Sequence, residues 1–188
     1  MTSPSYRRRT DRPLPSPEAA IQILTENGCD AIVVRHCLAV AELAVSIARQ
    51  CVKSGIDVDI QLVHIGALLH DIGRSKTHTV HHAVVGADIA RSIDLSALII
   101  SIIERHVGGG VPSEEASELG WPEKSYMPET LEEKIVTYAD KRIENAEVVP
   151  IERTIKRFKD ELGADHPAIA RLLNLHREIS ILCQESSE

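Results

Sequence analysis

Five stretches of this chain carry imidazole or carboxylate groups where a purely structural sequence would carry aliphatic ones. They are His36, the adjacent pair His70-Asp71, His82, His106 and Asp140. The pair closes the apolar run Gly66-Ala67-Leu68-Leu69 and is followed by Ile72-Gly73. An unpaired carboxylate inside such a run is costly, and proteins balance it with a charged partner or a metal ion. Singly, each group has an ordinary explanation, and His36 alone reads first as a hydrogen-bonded core histidine. Six such groups in one aliphatic core would need six separate compensations, which a shared metal site supplies together. Imidazole nitrogen mixed with carboxylate oxygen suits divalent iron, manganese or zinc, whereas Ca and Mg favour oxygen alone. No cysteine stands in a ligand pattern, which argues against a structural zinc site.

Helices must bring these groups together. Ser16-Pro17-Glu18 starts one that runs to Asn27. Asp30 caps a longer one ending before Gly55, with Ile32, Val33, His36, Val40, Leu43 and Ile47 on one stripe. Asp59 opens a third, which carries Leu62, Ile65, Leu68 and Leu69 into His70-Asp71 and stops near Gly73. After a polar loop, His82 to Ile93 is helical, with small residues permitting close approach. Leu95 to Val107 reads as a buried helix whose Ile99, Ile102 and Ile103 lead to His106. Residues 108–129, with four glycines and three prolines, form the one long loop. Thr130 and Glu133 make a capping box for a helix through about Asn145, with Asp140 inside its apolar face. Two more helices, near 151–162 and 166–184, end the chain. Strand-like alternation is absent. The expectation is a single all-α domain of about seven or eight helices over 16–188, its metal-site core at 30–145. Residues 1–15, with Arg7-Arg8-Arg9, are expected to be a disordered arm.

Composition narrows the function. A chain of 188 residues can bury a sizeable core, and 3% aromatics make that core aliphatic. A net charge of −7 argues against an extended nucleic-acid partner. The four cysteines show no paired spacing, so reduced thiols and a cytoplasmic protein are expected. No uninterrupted apolar run reaches the ~20 residues of a membrane span, and no signal-peptide core is visible.

The order of these groups resembles the HD-domain metal-dependent phosphohydrolases: His36, then His70-Asp71-Ile72-Gly73, then Asp140 in Tyr-Ala-Asp. His82 in His-x-x-x-Gly-Ala and His106 before Gly108 are similar to the subgroup with two metals, and the nearest likeness is to small stand-alone proteins. The resemblance implies an HD-type helical bundle in which His36, His70 and Asp140 hold one divalent metal and His82 and His106 the second. Asp71 would bridge both, and the ions would be Mn, Fe, Co, Ni or Zn. The motif's phase favours His82 over His81 as ligand and leaves His81 beside the substrate. The implied reaction is hydrolysis of a phosphomonoester or phosphodiester in a small, anionic, nucleotide-like substrate, by a water shared between the cations. Asp71, Arg74, Lys76 and His81 are the catalytic candidates, with Arg74 and Lys76 neutralising phosphate and His81 or His78 supplying the leaving-group proton. The family often has lysine where this chain has Arg74, a change that bears on substrate choice. Arg105 and Lys141 adjoin ligands but are expected at the surface, as are His166 and His176, while His64 is expected to pack. Two other readings use the same ligands: an HD-fold mixed-valent di-iron oxygenase, and a non-catalytic metal-stabilised nucleotide sensor or interaction module.

Overall fold

Helix starts follow the capping signals. In the computed structural model, which describes residues 12–183, α1 (Pro17–Glu26) is capped by Ser16, whose side chain accepts from the Ala19 N–H. Asp30 caps α2 (Ala31–Lys53) through the N–H groups of Ile32 and Val33. Asp59 caps α3 (Ile60–Leu69) through that of Leu62. Next come α4 (His82–Ser92), α5 (Ala97–Arg105, capped by Ser96) and the short α6 (Ser113–Glu118). α7 (Leu131–Asp140) opens with the complete Thr130–Glu133 capping box, and α8 (Ile151–Leu162) and α9 (Pro167–Leu182) follow. Each cap is worth about 1 kcal/mol and also fixes the phase at which its helix presents later residues.

α2 is the hub, packed chiefly against α3 and α7. By length and hydropathy it could cross a membrane, but its apolar stripe, from Val33 through Val40 and Ile47 to Cys51, is buried in the protein core. α3 is apolar apart from Gln61 and His64 because it is covered by α1, α2, α5 and α7. Two close approaches set the geometry near its end. An added Cβ on Gly66 would lie 2.4 Å from Ile102 Cδ1 of α5. One on Gly73, in the 3-10 turn Ile72–Ser75, would lie 2.0 Å from the His82 carbonyl oxygen of α4. No side chain fits there, so glycine lets the turn carrying Asp71 rest directly on the backbone of α4.

The all-α expectation holds, with nine α-helices among the described residues. The extra one, α6, forms inside the expected loop 108–129 around a small apolar cluster of Val111, Ala116, Trp121 and Tyr126. α7 ends at Asp140 and not near Asn145. Asn145 and Ala146 adopt φ of 52° and 64°, turning a two-residue hairpin between β1 (Ile143–Glu144) and β2 (Glu147–Val148). The expectation of reduced cysteines is corrected for two of them. Cys51 at the end of α2 and Cys183 just after α9 form a disulfide across 132 residues, while Cys29 and Cys37 are free and buried. Sequence spacing cannot show that two helix ends meet. Of the expected arm, residues 1–11 with Arg7-Arg8-Arg9 lie outside the described residues; Arg12 ion-pairs with Asp94 and Leu14 packs against the core.

Candidate metal centre

All six groups singled out in the sequence converge at one place, most of them delivered by helix ends. His36 projects from the second turn of α2; His70 is the residue capping the end of α3, with Asp71 next to it. His82 is the first residue of α4, His106 caps the end of α5, and Asp140 is the last residue of α7. Helix ends leave backbone carbonyls without partners, and the histidines use them. His70 Nδ1 donates to the Ala67 carbonyl at 2.7 Å and His106 Nδ1 to the Ile103 carbonyl at 2.6 Å. His82 Nδ1 donates to the Thr79 carbonyl at 2.6 Å. A carbonyl only accepts, so each Nδ1 carries the proton and each Nε2 faces inward.

Asp71 stands between two sets of these nitrogens. Its Oδ2 is 3.7 Å from both His36 Nε2 and His70 Nε2, and its Oδ1 is 3.1 Å from His82 Nε2 and 3.4 Å from His106 Nε2. Asp140 Oδ1 completes the first set, 2.9 Å from His36 and 3.5 Å from His70. Donors sharing one ion at about 2.1 Å stand about 3.0–3.4 Å apart in octahedral or tetrahedral arrangements. The observed spacings fall around that range, and His36, His70 and Asp140, like His70, Asp71 and His106, are close enough to share an ion.

Electrostatics gives an independent test of fit. Burial opposes ionisation of Asp71, but His70, His106 and His82 outweigh it and hold its carboxyl well below the usual range. Asp140 is held low in the same way by Lys141, His36 and His70. Burial pushes His106 down to about 4, so its ring is neutral near pH 7. Its Nε2 lies 2.9 Å from that of His82 while both Nδ1 atoms donate elsewhere, so as neutral rings the pair set lone pair against lone pair. His70 Nε2 and Asp71 Oδ1 are buried without a hydrogen-bond partner. Burial also disfavours a charged His70, yet Asp71, Cys37 and Asp140 raise its pKa well above the ordinary value, so this ring attracts a positive charge. Orphaned acceptors around buried carboxylates fit a divalent cation, which would take the place of that proton.

The centre opens on a cleft of about 1340 Å³ lined by His36, Asp71, His82 and Asp140. His36 and Asp140 are partly exposed at its floor, whereas His70 and His106 are buried behind them. Arg74 lines the cleft, its Nε donating to Asp71 Oδ2 at 2.5 Å. Lys76 and His81 do not line it. Lys76 is exposed, and His81 Nδ1 accepts the Trp121 indole N–H at 2.9 Å, which turns its ring toward the α6 loop. Consecutive residues at a helix start diverge by about 100°, so His82 faces Asp71 and His81 cannot. Lys141, expected at the surface, lines the cleft beside Asp140 and pairs with it. His166 also lines the cleft, and His176 meets the Tyr138 hydroxyl at 2.8 Å. Sequence reading missed the Glu115–Arg171 pair, 2.6 Å across the cleft wall between α6 and α9. It joins residues 56 apart, and neither belongs to a motif.

Comparison with known proteins agrees with this geometry. The chain is 48% identical over 165 residues to an uncharacterized protein of Methanocaldococcus jannaschii, covering 88% of this chain and 97% of that one. It is 38% identical over 170 residues to a tRNA (cytidine(56)-2′-O)-methyltransferase of Picrophilus torridus, covering 90% of this chain but only 48% of the longer protein. In fold it is similar to the HD domain of the L. monocytogenes phosphodiesterase PgpH, crystallised with cyclic-di-AMP. There the TM-score is 0.51 at 20% identity, over 90% of this chain and 98% of that one. The family model of the HD domain matches residues 33–144, a span that contains all six converging groups. The chain therefore belongs to the HD-domain family.

Proposed function

We propose that the protein is a metal-dependent phosphohydrolase that cleaves a phosphomonoester or phosphodiester bond of a nucleotide-like substrate. The observation that carries this reading is Asp71, whose two oxygens face two separate sets of imidazoles at the floor of an open cleft. Bound divalent cations would supply an acidified water and polarise phosphoryl oxygens. The chain's own residues do the rest. His36, His70 and Asp140 would hold one ion, His82 and His106 the other, and Asp71 would keep the two sets in register. Arg74 and Lys141 place positive charge beside Asp71 and Asp140, where a phosphate dianion would otherwise meet two carboxylates. Of the two histidines considered as leaving-group acid, His78 lines the cleft and takes that role. PgpH supports the reading, since its name is that of a phosphodiesterase and its bound cyclic-di-AMP is a phosphodiester. The methyltransferase is about twice as long as the part it shares with this chain, and its activity is not carried over.

The test is metal analysis of the purified protein, followed by phosphatase and phosphodiesterase substrates with Mn, Fe, Co or Ni supplied. The expected result is about two metal equivalents and turnover that chelation abolishes. Nucleotide binding without turnover under every metal would favour the sensor, and oxygen uptake by the iron form would favour the oxygenase. Two neighbouring variants give a sharper check. His82→Ala should lower the metal content from two equivalents toward one, whereas His81→Ala should leave it unchanged. Equal metal content in both would overturn the assignment of His82.

A further inference from the structure

The outer wall of the cleft is built after residue 144, beyond the span matched to the HD family. α8 supplies it. The inward face of this helix begins in the core at Ile151, Thr154 and Ile155, reaches the core's edge at Phe158, which is partly buried and packs against it, and leaves the core at Leu162, 47% exposed. Both line the cleft, and so does Ile32, 69% exposed on the first turn of α2. Phe158 is the sole phenylalanine of the chain. Among the described residues it is also the one ring besides histidine on this wall, since Tyr126 and Tyr138 are fully buried and Trp121 packs on Tyr126. The Arg157 guanidinium, ion-paired with Glu144 at 2.8 Å, lies 5.8 Å from the Phe158 ring centroid.

This wall is an apolar surface whose rim carries both signs of charge, Arg157 paired with Glu144 and Glu161 one turn away, in the same cleft as a floor suited to phosphate. A sugar phosphate would leave the apolar surface wet, and an aliphatic chain would make no use of the rim. A heteroaromatic base uses both, stacking by its face and hydrogen-bonding by its edge. We infer that the substrate is a nucleotide whose base stacks on Phe158, flanked by Ile32 and Leu162, while its phosphate reaches the metal centre. The inference rests on the phosphohydrolase reading of that centre. A volume of about 1340 Å³ also leaves room for a second nucleotide unit.

The experiment is calorimetric titration of the full chain, loaded with Mn, using AMP and ribose 5-phosphate as their methylenephosphonate isosteres, in which a P–C bond replaces the hydrolysable ester. The two share sugar and phosphonate, so their difference reports the base. The wild-type protein should bind AMP about tenfold more tightly. Phe158→Ala should reduce that preference below about twofold and leave ribose 5-phosphate binding unchanged, whereas Phe158→Tyr should restore it. Ile32→Ser, at an exposed position that tolerates substitution, should weaken the preference about threefold and carries the test should Phe158→Ala unfold. Absence of a preference in the wild-type protein, or its survival in Phe158→Ala or Ile32→Ser, would overturn the inference. So would a change in sedimentation without a change in nucleotide preference, which would make this wall a contact between copies of the chain. Loss of the hydrolase reading shows separately, as base-selective binding with no turnover of any phosphoester.

Discussion

Asp71→Ala is expected to strip the centre of the two proposed ions and to lower the proposed phosphoester turnover by about a thousandfold or more. Residues that merely orient a metal ligand cost about 10–100-fold when removed. Asp71 stands closer to the chemistry than such a residue, since each oxygen faces a separate pair of imidazoles and every other donor lies behind or beside it. Its loss also removes the buried negative charge that would compensate the proposed cations, leaving imidazoles alone around one set. Helix content should be unchanged, because Asp71 lies between α3 and the Ile72–Ser75 turn and its side chain caps neither. Circular dichroism, metal analysis and the phosphoester assay check the three statements together. Asp71→Asn, which keeps the shape and removes the charge, should behave like alanine in metal content. Retained turnover in either variant would show that the two imidazole sets do not act through a common carboxylate.

The second large effect falls on a residue with no side chain. Gly73→Ala should destabilise the fold by about 3 kcal/mol, since an overpacked site must shift its neighbours. For a chain of this size that lowers Tm by roughly 6–12 °C. The new methyl would stand 2.0 Å from the His82 carbonyl and 2.6 Å from the Gly86 backbone nitrogen, so α4 itself must retreat. Because His82 is the first residue of α4, the same retreat should draw its Nε2 from Asp71 and lower the metal content toward one equivalent. Gly86→Ala is the milder companion, since its methyl would stand 2.9 Å from Ile103 Cγ2 and 3.0 Å from the Gly73 backbone nitrogen, so its neighbours need give by less than those of Gly73. Thermal melts with metal analysis decide the matter, and an unchanged Tm for Gly73→Ala would exclude the close approach.

The sequence was most legible where chemistry is local. Ser16, Asp30, Asp59 and the Thr130–Glu133 box mark helix starts because a cap acts on N–H groups two or three residues away. The six converging groups were legible for a related reason, since a carboxylate or imidazole on an apolar stripe is visible without knowing what it meets. What stayed hidden depends on distant partners. α6 is held by Ala116 meeting Trp121 and Tyr126 in a cluster reaching back to Ala83, and by the Glu115–Arg171 pair. The disulfide needs two helix ends to meet, and the turn of His81 away from the cleft needs Trp121, 40 residues on. Lys141 was hidden by its neighbour, since a residue following a helix end faces wherever the chain next turns, here into the hairpin at Ile143.

The bonds from three imidazoles to the carbonyls of Ala67, Thr79 and Ile103 have a consequence for metal exchange. These three rings are aimed by the main chain and need not turn to admit or release a guest, so demetallation should leave their positions unchanged. A cage that is preformed in this way cannot adapt its shape to favour one transition metal over another of similar radius. Which element fills it is then decided by cellular supply more than by the polypeptide.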